Sequence, residues 1–79
     1  MSALEMFEQL GYKLMNEDLI WKKNRILYIK DRTAISFLFI TKTYYKYTYS
    51  YNVESEAITI DEHKAITKQM EELYWFNEE

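Results

Sequence analysis

Not one cysteine occurs among the 79 residues of this chain. A domain of that size buries only about 60% of the surface its unfolded chain exposes. Without disulfides, it needs a dense core or a second copy to hold its shape. The missing thiols also exclude zinc held on cysteine, iron–sulfur ligation and cysteine nucleophiles. Small secreted domains normally carry disulfides, so the expected compartment is the reducing cytosol.

Aromatic residues supply the material for such a core. Eight Tyr, four Phe and two Trp give enough apolar mass to offset ordering entropy, which argues against disorder. One Gly and no Pro leave no visible linker, so residues 1–79 read as a single domain. Met1-Ser2-Ala3-Leu4-Glu5 shows no basic stretch leading into a long apolar run. The longest uncharged stretch, Thr33 to Thr41, is too short to cross a bilayer as a helix, and no membrane contact is expected.

Two helices announce their own starts. Ser2 and Glu5 form a Ser-x-x-Glu capping box, in which each side chain takes the other residue's backbone N–H. Ala3, Leu4, Phe7 and Leu10 then share a face, and Gly11 sits where a helix ending needs positive φ. This predicts a helix over about residues 3–10. Thr59 and Glu62 repeat the capping box, with Ala65, Ile66, Met70 and Leu73 as the apolar stripe. Asp61, Glu62, Lys64, Lys68, Glu71 and Glu72 are expected to face outward. Tyr74, Trp75 and Phe76 are expected to fold back onto the core.

Between the helices lie runs rich in aromatic and β-branched residues: Leu19–Trp21, Arg25–Ile29, Ala34–Ile40 and Tyr44–Tyr51. The gaps are too short for parallel crossovers, so the runs should pair as an antiparallel meander. Ala34–Ile40 is apolar on both faces and should be central, with Phe37 and Phe39 beneath the helices. Asn52 to Glu56 reads as a loop. The predicted fold class is α+β: an N-terminal helix, a three- to four-stranded antiparallel meander sheet and a C-terminal helix, with both helices on one sheet face.

One alternation carries the functional question. Tyr45, Tyr47, Tyr49 and Tyr51 point one way, while Tyr44, Lys46, Thr48 and Ser50 point the other. A three-residue loop at 41–43 pairs Phe39 with Tyr45 and puts the Tyr row in the core. A two-residue loop pairs Phe39 with Tyr44 and turns the row away from the helices. No turn signature decides between them. In the core, such tyrosines would contribute about 0.2–1 kcal/mol per cross-strand pair. Turned away, they would form an aromatic ladder flanked by cations, the composition of a binding hot spot or a platform for single-stranded nucleic acid.

Charge is segregated along the chain. Residues 22–46 carry seven cations against Asp31 alone, while residues 1–21 and 47–79 are acidic. A basic sheet between acidic helices can be a matter of solubility alone. Read functionally, the candidate partner-binding residues are Lys22, Lys23, Arg25, Lys42, Tyr45, Lys46, Tyr47 and Tyr49.

Signs of catalysis are missing. His63 is the single histidine, at the edge of the second helix's apolar stripe, and reads as a rim residue packing on the sheet. Asp61-Glu62 and Glu71-Glu72 diverge on a helix, and capping or solvation accounts for them. There is no glycine-rich phosphate loop. No enzyme activity, metal or cofactor is expected.

Met6-Phe7-Glu8-Gln9-Leu10-Gly11-Tyr12, Ile58-Thr59-Ile60-Asp61-Glu62 and Ala65 to Trp75 resemble the ends of small phage and prophage proteins of low-GC Gram-positive bacteria. That group has no established activity. Its members typically carry Gly in place of Tyr74 and an apolar residue in place of His63, which puts the ending of the second helix in question. The resemblance implies an origin in a mobile element, whose very small non-catalytic proteins often bind and block host or defence proteins. The expected function is thus an interaction protein that modulates or inhibits a bacterial host or anti-phage defence protein, for example a CRISPR-type nuclease, in the host cytosol. A nucleic-acid-binding module and a structural homodimer are the alternatives.

Overall fold

The computed structural model describes residues 1–15, 25–48 and 57–76. The predicted α+β architecture holds. Helix α1 (Ala3–Gln9) leads into strands β1 (Lys13–Leu14), β2 (Arg25–Lys30), β3 (Thr33–Leu38) and β4 (Thr43–Thr48), and helix α2 (Ile60–Glu72) follows. The strands form an antiparallel sheet in the order β1-β2-β3-β4. The predicted strand at Leu19–Trp21 and loop at Asn52–Glu56 lie outside the described residues. Among the described residues the first strand is the short Lys13–Leu14, whose two exposed residues give no periodic signal.

Both capping boxes form as read. Ser2 Oγ accepts from Glu5 N–H at 3.1 Å, and Glu5 Oε1 accepts from Ser2 N–H at 2.8 Å. Thr59 and Glu62 repeat the exchange at 3.0 Å in both directions. Each box satisfies orphan N–H groups of a first turn and contributes about 1 kcal/mol.

The two helices also end alike. Gly11 (φ 95°) lets its N–H reach Glu8 O while Tyr12 N–H bonds Phe7 O, both at 3.0 Å. Tyr74 (φ 61°) repeats this, with its N–H on Glu71 O and Trp75 N–H on Met70 O, again at 3.0 Å. This is the paired bonding of a Schellman ending, which favours glycine at the left-handed position. The resemblance had put this ending in question; the bonding is the usual one, with Tyr in the strained place.

Each ending throws an aromatic residue back onto the core. Tyr12 meets Phe7 edge-on at 5.7 Å, and Trp75 lies 6.2 Å from Phe37. Phe7 stacks on Tyr28 at 4.0 Å, and Phe37, Ile35, Ala65 and Ile66 complete the buried cluster. Each buried apolar side chain of this size contributes about 1.5–3 kcal/mol. Of the aromatic terminus, only Trp75 folds back; Tyr74 and Phe76 are exposed. The helices run antiparallel, and Ala3 N–H donates to Glu72 Oε2 at 2.8 Å.

The hairpin registers settle the parity of the Tyr row. Lys30 pairs with Thr33 around the turn Asp31-Arg32. Leu38 pairs with Thr43, so the next turn spans Phe39 to Lys42, longer than either expected loop. Phe39 therefore leaves the strand and does not lie beneath the helices as Phe37 does. Phe37 faces Tyr44 across the strands, with ring centroids 6.0 Å apart. Tyr44 and Lys46 thus point to the helices, and Tyr45 and Tyr47 point away.

Candidate functional site

The far side of the sheet brings four of the candidate residues together. Arg25 stands opposite Leu38, Tyr45 opposite Ser36, and Tyr47 opposite Ala34. Lys42 closes the adjoining turn with φ 55°. Ala34 and Ser36 are small, which leaves room for the tyrosine rings against the sheet. The rings of Tyr45 and Tyr47 stack 5.3 Å apart at 29°. Beneath them Ala34 and Ser36 are fully buried, and Leu27 is buried beside them. Tyr45 keeps 42% of its surface exposed, Lys42 is exposed, and Arg25 is half-buried. The arrangement presents an aromatic pair on β4, with a guanidinium two strands away on β2 and an ammonium in the adjoining turn, suited to planar or anionic contacts.

Ser36 introduces a tension into this face. Its Oγ is fully buried and has no hydrogen-bond partner among the described residues. A buried hydroxyl left unpaired costs about 1–3 kcal/mol relative to a satisfied one.

Lys46 does not belong to this surface. It stands opposite the buried Ile35 on the helix side, and its side chain is only 7% exposed. The ammonium donates to Glu62 Oε1 at 2.9 Å and to Ala57 O at 2.6 Å. The expectation of a partner-facing Lys46 is therefore corrected: strand parity turns it inward, where it ties β4 to the start of α2. Lys22, Lys23 and Tyr49 lie outside the described residues.

Glu62 is the centre of that tie, and it also departs from expectation, since it is buried and not outward. Its Oε1 accepts from Lys46 and from Thr59 N–H, and its Oε2 accepts from the Tyr12 hydroxyl at 2.7 Å. Burial pushes the carboxyl up, but the Thr59, Lys46 and Tyr12 donors outweigh it and hold the group below the usual carboxylate range. Burial also raises the Tyr12 phenol, as does the Glu62 carboxylate it donates to. Lys30 sits over the Tyr12 ring, 5.5 Å from its centroid. Two turns along α2, the buried Gln69 accepts from the Tyr28 hydroxyl at 2.6 Å. Burial, then the charges of Glu72 and Glu8, push the Tyr28 phenol up to about 12.

His63 points outward from α2 and lines a shallow groove with Met6, Thr67 and Glu71, so it does not pack on the sheet. Among the described residues, no group of three or more His, Cys, Asp or Glu side chains could hold a metal ion. No helix among them is long and apolar enough to cross a membrane.

Sequence reasoning missed the Glu62–Lys46–Tyr12 tie and the Tyr28–Gln69 bond. A spacing of seven between Glu62 and Gln69, in phase with Ile66, was the available signal. It also missed Ile40, which is 86% exposed in the β3–β4 turn. No protein-family model, no curated protein and no solved structure matches the chain.

Proposed function

We propose that this chain is a non-catalytic interaction protein that binds a bacterial protein through the sheet face turned away from the helices. The observation that carries the reading is the stacked Tyr45–Tyr47 pair on a face that also carries Arg25, two strands away, with Lys42 in the adjoining turn. Tyr and Arg are enriched among binding hot spots, where a few rigid anchors carry most of the energy. The phage-like ends favour a host or defence protein as the partner class.

The same aromatic and cationic grouping supports a second reading, binding of single-stranded nucleic acid. Salt separates the two. Phosphate contacts release counterions, so affinity falls log-linearly with salt, while a mixed aromatic interface responds weakly. The test is affinity capture from bacterial lysate, followed by direct titration of the captured protein with wild type, Tyr45→Ala and Arg25→Glu. The reading expects affinity to fall at least tenfold in each variant, with little salt dependence. Unchanged affinity in both variants, or a steeply salt-dependent shift of single-stranded DNA or RNA by the wild type, overturns it.

A further inference from the structure

One end of the molecule combines apolar exposure, backbone strain and divided charge. The ending of α2 and the strands that flank the β3–β4 turn converge there, because Trp75 and Tyr44 both pack on Phe37. Ile40 is 86% exposed, Tyr74 72% and Phe76 56%. Soluble chains seldom present large apolar side chains together unless something covers them. Three non-glycine residues among those described have positive φ, and two of them, Lys42 and Tyr74, are at this end. The third, Asp31, is of a type that tolerates the left-handed region in a tight turn. Tyr74 is the more telling of the two. The chain uses Gly11 for the same place in α1, yet at α2 it keeps a strained aromatic residue whose side chain is left largely exposed. Strain retained for a largely exposed aromatic side chain points to a role at a contact surface.

The charges name the occupant. On the sheet side of this end stand Arg25 and Lys42, and on the helix side the exposed Glu5, Glu71 and Glu72. Glu72 is placed there by its bond to Ala3 at the start of α1. A two-fold axis lying between the two layers sets the cations of one copy against the carboxylates of the other, with Ile40, Tyr74 and Phe76 meeting at the centre. We infer that the chain pairs with a second copy of itself through this end. The contact is isologous, as closed two-fold dimers require, and its few residues make it weak and transient. It shares Arg25 and Lys42 with the proposed partner-binding face but leaves Tyr45 and Tyr47 out, and its test needs the purified chain alone.

Sedimentation equilibrium from about 10 µM to about 1 mM covers the range in which such a contact associates. The weight-average mass of the wild type should climb from 9.7 kDa toward twice that value. Tyr74→Gly relieves the backbone and removes the anchor, so it should stay folded and shift the association at least tenfold to higher concentration. Ile40→Ser, in an exposed turn, should do the same. A wild-type mass that stays monomeric throughout overturns the inference, and so does association unchanged by both substitutions.

Discussion

Gly11 and Tyr74 occupy the same position of the same helix ending, one without a Cβ and the other with a full aromatic side chain. An L-residue in the left-handed region costs about 1–2 kcal/mol more than glycine. Tyr74→Gly is therefore expected to stabilise the fold by about 1 kcal/mol, raising Tm by about 4–8 °C for a domain of this size. Thermal melts by circular dichroism at low micromolar concentration measure this, and a lower Tm contradicts it.

Gly11→Ala should move the other way. A Cβ at Gly11 would lie 3.5 Å from the Lys30 side chain, an ordinary contact, so the loss comes from φ alone. The expected destabilisation is about 1 kcal/mol, read from urea midpoints at unchanged m-value. A much larger loss would mean that close packing, not backbone conformation, selects the glycine.

Acid should destabilise the fold in part through Glu62. Its carboxyl is lower in the folded chain than in the unfolded one, so the unfolded chain binds the proton first as pH falls. The stabilisation is present above the ordinary carboxylate value and disappears as pH drops through the folded one. Glu62→Gln should lower stability at pH 7 and flatten the difference between pH 7 and pH 3. Urea titrations across that interval test the sign; an equally steep acid limb in the variant refutes the assignment. Lys46→Met should be destabilising as well, since it leaves the buried carboxylate without its ammonium.

Alkali should act through Tyr28. Its phenol is pushed up to about 12 in the fold, so the folded chain holds the proton longer. The stability this represents is complete below the ordinary tyrosine value and is lost as pH rises from about 10 through about 12. Tyr28→Phe leaves Gln69 buried without its donor and should cost about 1–3 kcal/mol at neutral pH. Adding Gln69→Leu should restore part of that loss, which a double-mutant cycle in urea would show.

Ser36 offers the reverse experiment. Replacing it with Ala removes a buried hydroxyl that has no partner among the described residues, and keeps nearly the same volume. Stability should be unchanged or rise by up to about 1 kcal/mol. A clear loss would show that the hydroxyl is satisfied on folding.

Local chemistry made the helices readable. Ser2–Glu5 and Thr59–Glu62 set their starts within four residues, and Gly11 marked an ending in one residue. The far-face tyrosines were readable only as a pair of alternatives. Their direction depends on whether the turn before β4 holds an odd or even number of residues, and Phe39 to Lys42 contains no glycine to fix it. The even count turned Tyr45 outward and Lys46 inward. The phase of Glu62 with Ile66 and Gln69 hinted at burial, but its partners Lys46 and Tyr12 come from distant segments and could not be read. A carboxylate beside a helix start looks the same in sequence whether it faces water or a lysine.

The hydrogen bond from Ala3 to Glu72 spans nearly the whole chain, and it has a consequence for synthesis. The meander pairs near neighbours and can form early, but its aromatic side is roofed by the first and last helices together. While the ribosome is still adding residues beyond Thr48, Phe7, Tyr28 and Phe37 have no Ile66 or Trp75 to lie against. Completion of the fold must wait until α2 has left the exit tunnel, and the nascent chain carries an uncovered aromatic surface until then.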